Sequence, residues 1–189
     1  CIPNMILMAP RDENECRRML YTGFLHEGPA AVRYPRGSGP GVALQSEMTA
    51  LPLGKAEVRR QGQHIALLAF GSVLTAALAA GEELNATVVD MRFIKPLDEE
   101  LILQLATHYD LLVTLEDNAV AGGAGSAVSE CLNAAGRTCA LRHLGLPDIF
   151  TGQGSREELL STYALDSAGI VAAVSAWRTQ PPCQIVPLR

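Results

Sequence analysis

The sequence predicts an α/β protein with a mostly parallel sheet, preceded by the end of another α/β unit. Two observations carry this. From Gly54 to Trp177, short apolar strand-like runs alternate with helix-length segments, the pattern of βαβ units. Before that, Gly37-Ser-Gly-Pro-Gly41 and the polar stretch to Pro52 are rich in chain-breaking residues and read as a linker. The resulting division is a first unit at 1–40, a linker at 41–52, a second domain at 53–178 and a proline-rich, loosely attached tail at 179–189.

The first unit reads strand, helix, strand. Met5-Ile-Leu-Met8 is a short apolar run ended by Pro10, and Asp12 is placed to cap a helix whose third position is Glu15. That helix runs to about Leu25, with Cys16, Met19, Leu20 and Phe24 as its expected apolar face. After Gly28-Pro29, Ala30 to Tyr34 forms the next strand. This is half of an α/β domain, short of the strands it should pair with.

In the second domain, strands are expected at Gly54–Arg59, His64–Phe70, Ala86–Met91, Leu111–Leu115 and Cys139–Leu144. Helices are expected at Val73–Leu84, Glu99–Thr107, Ala124–Ala135, Arg156–Leu160 and Ser167–Trp177. The stretch Val88 to Asp98 is the most informative. Val88, Val89 and Met91 give a buried strand, Pro96 holds Lys95 extended, and Asp98 caps the helix that starts at Glu99.

Composition narrows the function. Hydrophobic residues at 48% with 19% charged give an ordinary globular chain with a core. The net charge of −5, with basic residues scattered, leaves nucleic acid binding without electrostatic support. Apolar runs are broken by Gly71, Gly81 and charges, so no membrane span and no secretory signal are expected. Five cysteines, an odd number without Cys-x-x-Cys spacing, read as reduced thiols of a cytoplasmic protein rather than a metal or disulfide framework.

Chemistry has few candidates. Arg33-Tyr-Pro-Arg-Gly37 follows directly on a strand, where ligands of parallel sheets gather, and two guanidinium groups there suit a phosphate. The alternative is a surface turn shaped by Pro35 and Gly37. The glycine turns at Gly71 and at Gly122-Gly-Ala-Gly125 match neither dinucleotide nor P-loop spacing, since Val128 stands where a third glycine would be required. Close packing of strand, turn and helix accounts for them better. Glu116 and Asp117 are adjacent on a strand and therefore point to opposite faces, which favours a structural or interface role over an acid–base pair. None of His26, His64, His108 and His143 has the context of a general base.

Several words occur together and in order: Asp12-Glu-Asn-Glu-Cys-Arg17, Ala31-Val-Arg-Tyr-Pro-Arg-Gly37, Asp90-Met-Arg-Phe93 with Lys95-Pro-Leu-Asp98, Gly122-Gly-Ala-Gly-Ser126 and Gly145-Leu-Pro-Asp148. In these the chain resembles the 1-deoxy-D-xylulose-5-phosphate synthase family of transketolase-like thiamine diphosphate enzymes, over nearly all of its length up to Trp177. The resemblance implies that residues 1–40 are the C-terminal part of a pyrimidine-binding domain and 53–178 a transketolase C-terminal domain. It implies a homodimeric enzyme that condenses pyruvate with glyceraldehyde 3-phosphate and releases carbon dioxide, feeding isoprenoid, thiamine and pyridoxal synthesis. Thiamine diphosphate and magnesium are the implied cofactors. The family's Gly-Asp-Gly metal and diphosphate motif and its ring-activating glutamate have no counterpart here, so this segment alone is expected to be inactive, the cofactor being held by the remainder of the enzyme. Arg33 matches the position implied to contact the acceptor phosphate, with Arg36 behind it. Two alternatives stand beside this reading: a small subunit of a split transketolase-like enzyme, and a non-catalytic dimerisation module. The half-built first unit argues against the last, because it would expose unpaired strand edges.

Overall fold

The computed structural model describes residues 2–179; the proline-rich stretch 180–189 and Cys1 lie outside the described residues. The first unit folds as β1 (Ile6–Met8), α1 (Glu13–Leu25) and β2 (Ala30–Val32). β1 and β2 pair in parallel, with Ile6 opposite Ala30. Asp12 caps α1 as its position demands, its Oδ1 accepting from the Glu15 backbone N–H at 2.8 Å.

The buried stripe of α1 differs from the expected one. Met19 is fully buried, but Leu20 and Phe24 are 55% and 83% exposed, and Glu15 and Thr22 are buried in their place. Polar partners explain the rotation. The Glu15 carboxylate reaches Arg11 and Arg92, and Thr22 Oγ1 accepts from Leu51 N–H at 2.8 Å. The Glu15 charge is paired and the Thr22 hydroxyl hydrogen-bonded in the interior, where leaving such a group without a partner costs more than leaving a leucine in water.

Residues 41–52 carry no helix or strand and are tied along α1. Glu13 accepts from Gly41 N–H, Asn14 exchanges bonds with Ala43 and Gln45, and Arg17 donates to the Gln45 carbonyl.

Beyond the linker come β3 (Glu57–Arg60), β4 (Ile65–Phe70), α2 (Leu74–Leu84), β5 (Thr87–Asp90), β6 (Phe93–Lys95), α3 (Glu99–His108), β7 (Leu111–Ala119), α4 (Ala124–Ala134), β8 (Ala140–Leu146), α5 (Arg156–Thr162) and α6 (Ser167–Thr179). A five-stranded sheet runs in the order β3-β5-β4-β7-β8. All neighbours are parallel except β3, which lies antiparallel on β5, so the sheet is mostly parallel as predicted.

Period-two alternation along β4 builds a three-layer domain. Ile65, Leu67 and Ala69 face α2 and α6 with Val88, Val113, Ile170 and Val174. Ala66, Leu68 and Phe70 face α3 and α4 with Val89, Leu112, Ile102 and Val128. Each Val, Leu, Ile or Phe side chain among them, fully removed from water, contributes about 1.5–3 kcal/mol.

Within Arg156–Arg178 an 18-residue window has a mean hydropathy of 1.4, apolar enough by composition alone to cross a membrane, against the expectation of no such stretch. It is split between α5 and α6, and α6 packs one face, Ile170 and Val174, against the core beside α2.

One strand escaped the sequence reading. β6 leaves the second domain and pairs antiparallel with β1, Met8 opposite Phe93, giving a three-stranded sheet β2-β1-β6. The first unit's strands therefore find one neighbour within this chain. Phe93 is buried with Ile6, Met8, Met19 and Leu51 in a small core that joins the two units.

Candidate substrate-binding turn and the charged junction beside it

β2 ends at Val32, and the turn Arg33-Tyr34-Pro35-Arg36 leaves its carboxyl end. Arg33 N–H donates to the Met8 carbonyl at 2.8 Å, which extends the β1–β2 pairing to the base of the turn. Its guanidinium is already engaged: Nη1 lies 2.6 Å from Asp117 Oδ1, and Nη2 donates to the Asp117 carbonyl. Arg36, by contrast, is exposed and makes no hydrogen bond or ion pair to any described residue. Of the two arginines, Arg33 is thus paired with Asp117, and Arg36 has no partner among the described residues.

Asp117 gathers three donors onto one carboxylate. Besides Arg33, Ser72 Oγ donates to Oδ2 at 2.9 Å and Arg156 Nη2 lies 3.6 Å away, itself donating to Ser72 Oγ at 2.7 Å. Burial alone would raise its pKa, but Arg33, Ser72 and Arg156 hold it below the ordinary carboxylate range. A cleft of about 410 Å³ opens beside these groups, between the turn and the start of α5, lined by Tyr34, Pro35, Gly37, Ser72, Thr75 and Arg156.

Glu116, the neighbouring residue, points the other way as the strand pleat requires. It is 3% exposed, and its carboxylate accepts from Ala124 N–H and Gly125 N–H at 2.8 and 2.9 Å. A carboxylate on the N-terminus of α4 satisfies free backbone donors and opposes the helix dipole. Gly123 permits this approach, and Gly125 makes room for His143 and Thr114. A Cβ on Gly123 would sit 2.3 Å from the Ala119 carbonyl oxygen, and one on Gly125 would sit 2.5 Å from His143 Nδ1. Packing accounts for Gly123 and Gly125, as the sequence implied, while Gly122 stands in open space with a left-handed backbone (φ 71).

His143 is held between Thr114 Oγ1 at 2.7 Å and Ser129 Oγ at 3.1 Å, and its half-burial lowers its pKa. It stays neutral at pH 7 as a hydrogen-bonded core side chain. Cys16, Cys131 and Cys139 are free, half-buried thiols whose pKa values burial raises.

A second cluster was not anticipated. Arg11 Nη1 lies 2.7 Å from Glu15, 3.1 Å from Glu57 and 2.6 Å from Asp90, while its Nε lies 3.1 Å from Asp12. Arg92 pairs with Glu15 at 3.3 Å and with Glu57. Arg92 has a left-handed backbone (φ 58) and is buried, which aims its guanidinium between α1 and β3. Arg11 is pulled two ways: burial disfavours its charge, but Asp90 and Glu15 outweigh this and hold it protonated. Asp90 shows the opposite balance, since its burial outweighs Arg11 and pushes its carboxyl up to about 6. Oxygens of Glu15, Glu57 and Asp90 lie within 4.8 Å of one another, a spacing that would suit a divalent cation. The arginines already supply the positive charge there, so the donor set fits an ionic junction and not magnesium. From sequence, the words Asp12-Glu-Asn-Glu-Cys-Arg17 and Asp90-Met-Arg-Phe93 hold Asp12, Glu15, Asp90 and Arg92 of this cluster without showing that they meet.

Residues 54–170 match the family model described as transketolase, C-terminal domain. The chain is 65% identical over 176 residues to 1-deoxy-D-xylulose-5-phosphate synthase of Thioalkalivibrio sulfidiphilus, covering 93% of this chain and 28% of that protein. To the same enzyme of Nitrosococcus oceani it is 60% identical over 182 residues, 96% of this chain and 28% of the relative. Among solved structures it is similar to a split gene transketolase in an inactive beta4 tetramer, with TM-score 0.79, 30% identity, and coverage of 93% of this chain and 58% of that one. The chain spans little more than a quarter of the length of the curated relatives it matches. Family model, relatives and three-layer sheet agree: the chain belongs to the transketolase C-terminal domain family, as a C-terminal segment of the 1-deoxy-D-xylulose-5-phosphate synthase type.

Proposed function

We propose that the full-length protein is a thiamine diphosphate-dependent transferase that condenses pyruvate with glyceraldehyde 3-phosphate and releases carbon dioxide, and that this segment binds the acceptor's phosphate. The observation that carries the second part is the Arg33–Arg36 turn, with one guanidinium pinned to Asp117 and the other free at the carboxyl end of a parallel strand. Arg36 makes the phosphate contact and Arg33 fixes the turn from which it projects.

The described residues do not fit the cofactor. Their one buried acidic cluster is filled by Arg11 and Arg92, and the helix N-terminus at Ala124 is occupied by Glu116. Thiamine diphosphate and magnesium therefore belong to the remainder of the enzyme, and the bond-making chemistry lies with them. What this chain supplies is a rigid scaffold, a phosphate contact and surface for a homodimer of a cytoplasmic enzyme.

The test is steady-state kinetics of the full-length protein. Arg36→Ala should raise KM for glyceraldehyde 3-phosphate roughly ten- to a hundredfold, the size of a charge-assisted contact, and leave KM for pyruvate nearly unchanged. Equal effects on both substrates would refute the assignment. The similarity to a split gene transketolase supports a second arrangement, in which this chain is one subunit and a partner chain brings the cofactor site. Intact mass of the native polypeptide separates the two.

A further inference from the structure

We propose that Asp117, a residue of the C-terminal domain, is a positioning residue that sets the Arg33–Arg36 turn for the acceptor's phosphate; this rests on the reading of that turn given above. Most of β7 is locked in the sheet, but its register with β8 slips between Leu115 and Ala119, which frees Asp117 from the regular ladder. From there its carboxylate and its carbonyl both take Arg33, 84 residues away in sequence, while Ser72 and Arg156 hold the far oxygen. Asp117 is thus fixed on the side of the second domain before it fixes anything on the first.

The consequence reaches Arg36 through a short, stiff path. Pro35 restricts the chain between the two arginines, and Gly37 (φ 142) opens it again immediately afterwards. With Arg33 clamped at one end, the place from which Arg36 projects is set. Without the clamp, the turn keeps only the backbone bond from Arg33 to Met8. Arg33 also has its charge neutralised in this pair, so an incoming phosphate meets one free guanidinium rather than two competing for it.

Two effects oppose one another when the carboxylate is removed. Arg33 becomes an uncompensated cation, and one more unit charge acting on an anion through water favours it by roughly twofold. Loss of a charge-assisted bond that orients the binding group costs roughly tenfold. Orientation wins, and the net effect is a loss.

The experiment compares D-glyceraldehyde 3-phosphate with unphosphorylated D-glyceraldehyde as acceptor for the full-length protein. Asp117→Asn should lower kcat/KM for the phosphorylated aldehyde several-fold, mainly through KM. The unphosphorylated aldehyde and pyruvate should be unaffected, and Asp117→Glu should recover part of the loss. Ser72→Ala, which removes one support of Asp117, should show a smaller loss with the same selectivity, and it carries the test if Asp117→Asn does not fold. Equal losses on both aldehydes, or tighter use of the phosphorylated one, would overturn the proposal. Arg36→Ala separates the two layers. If it leaves the preference for the phosphorylated aldehyde intact, the reading of the turn itself fails. If it abolishes that preference while Asp117→Asn does not, only the positioning role fails.

Discussion

Removing Arg11 should destabilise the chain by about 2–3 kcal/mol at pH 7, less than the roughly 3–5 kcal/mol of an ordinary broken buried pair. The reason lies in which carboxylates are left behind. Glu15 keeps Arg92 and Arg18, and Glu57 keeps Arg92 and Arg59, so both retain a counter-charge. Asp90, fully buried, loses the one salt-bridge partner it has among the described residues. Its carboxyl already stands at about 6, so at pH 7 the native state escapes by binding a proton. That escape costs about 1.4 kcal/mol for the one unit separating 6 from 7. The lost Glu15 contact and the buried stem of Arg11 add about another 1–1.5 kcal/mol. Urea denaturation of Arg11→Ala, read by fluorescence of the single tryptophan, Trp177, measures the sum. The penalty should shrink by about 1 kcal/mol between pH 7 and pH 5, because Asp90 is then protonated in both proteins. In an Asp90→Asn background it should shrink by a similar amount at pH 7. A penalty that grows as the pH falls, or that Asp90→Asn leaves unchanged, would refute this account of the junction.

Asp90 itself should carry a pH signature of raised-carboxylate sign: its native value near 6 exceeds the unfolded value, so this group favours folding as pH falls from 7 to about 4, by up to about 3 kcal/mol. Stability of wild type minus Asp90→Asn, followed by denaturation across that window, should rise toward acid; a flat difference would contradict it. Asp117 and Glu57, both held low, act with the opposite sign, and their contributions are lost only as pH falls through their depressed values. Gly125→Ala should destabilise by about 1–3 kcal/mol, since its Cβ would enter between His143 and Thr114; thermal melts within experimental error of wild type would show that the helix can shift. Glu116→Gln in the full-length protein should leave kcat within a few-fold, because removal of a true acid–base catalyst costs about 10²–10⁴. Finally, calorimetric titration of this 189-residue chain with thiamine diphosphate and magnesium should show no binding, and micromolar affinity would overturn the assignment of the cofactor to the rest of the enzyme.

Much of the architecture was written locally. Alternating apolar runs and helix-length segments set the order of strands and helices, because burial periodicity and capping residues act over a few positions. Asp12 and Asp98 marked helix starts that the structure places one residue later, at Glu13 and Glu99. The opposite directions of Glu116 and Asp117 followed from the pleat alone. Only the tertiary structure decided the rest. β6 is three residues long and too short to show a period, and it is a strand because β1 offers it an edge. The face of α1 turned away from its apolar spacing because Glu15 finds two arginines in the interior. The sequence put Arg33 ahead of Arg36 as the phosphate contact; Asp117, 84 residues from Arg33, pairs with the first, and the second has no partner among the described residues. Charges choose partners by distance in space, and that distance is set only when separate elements of the chain pack against one another.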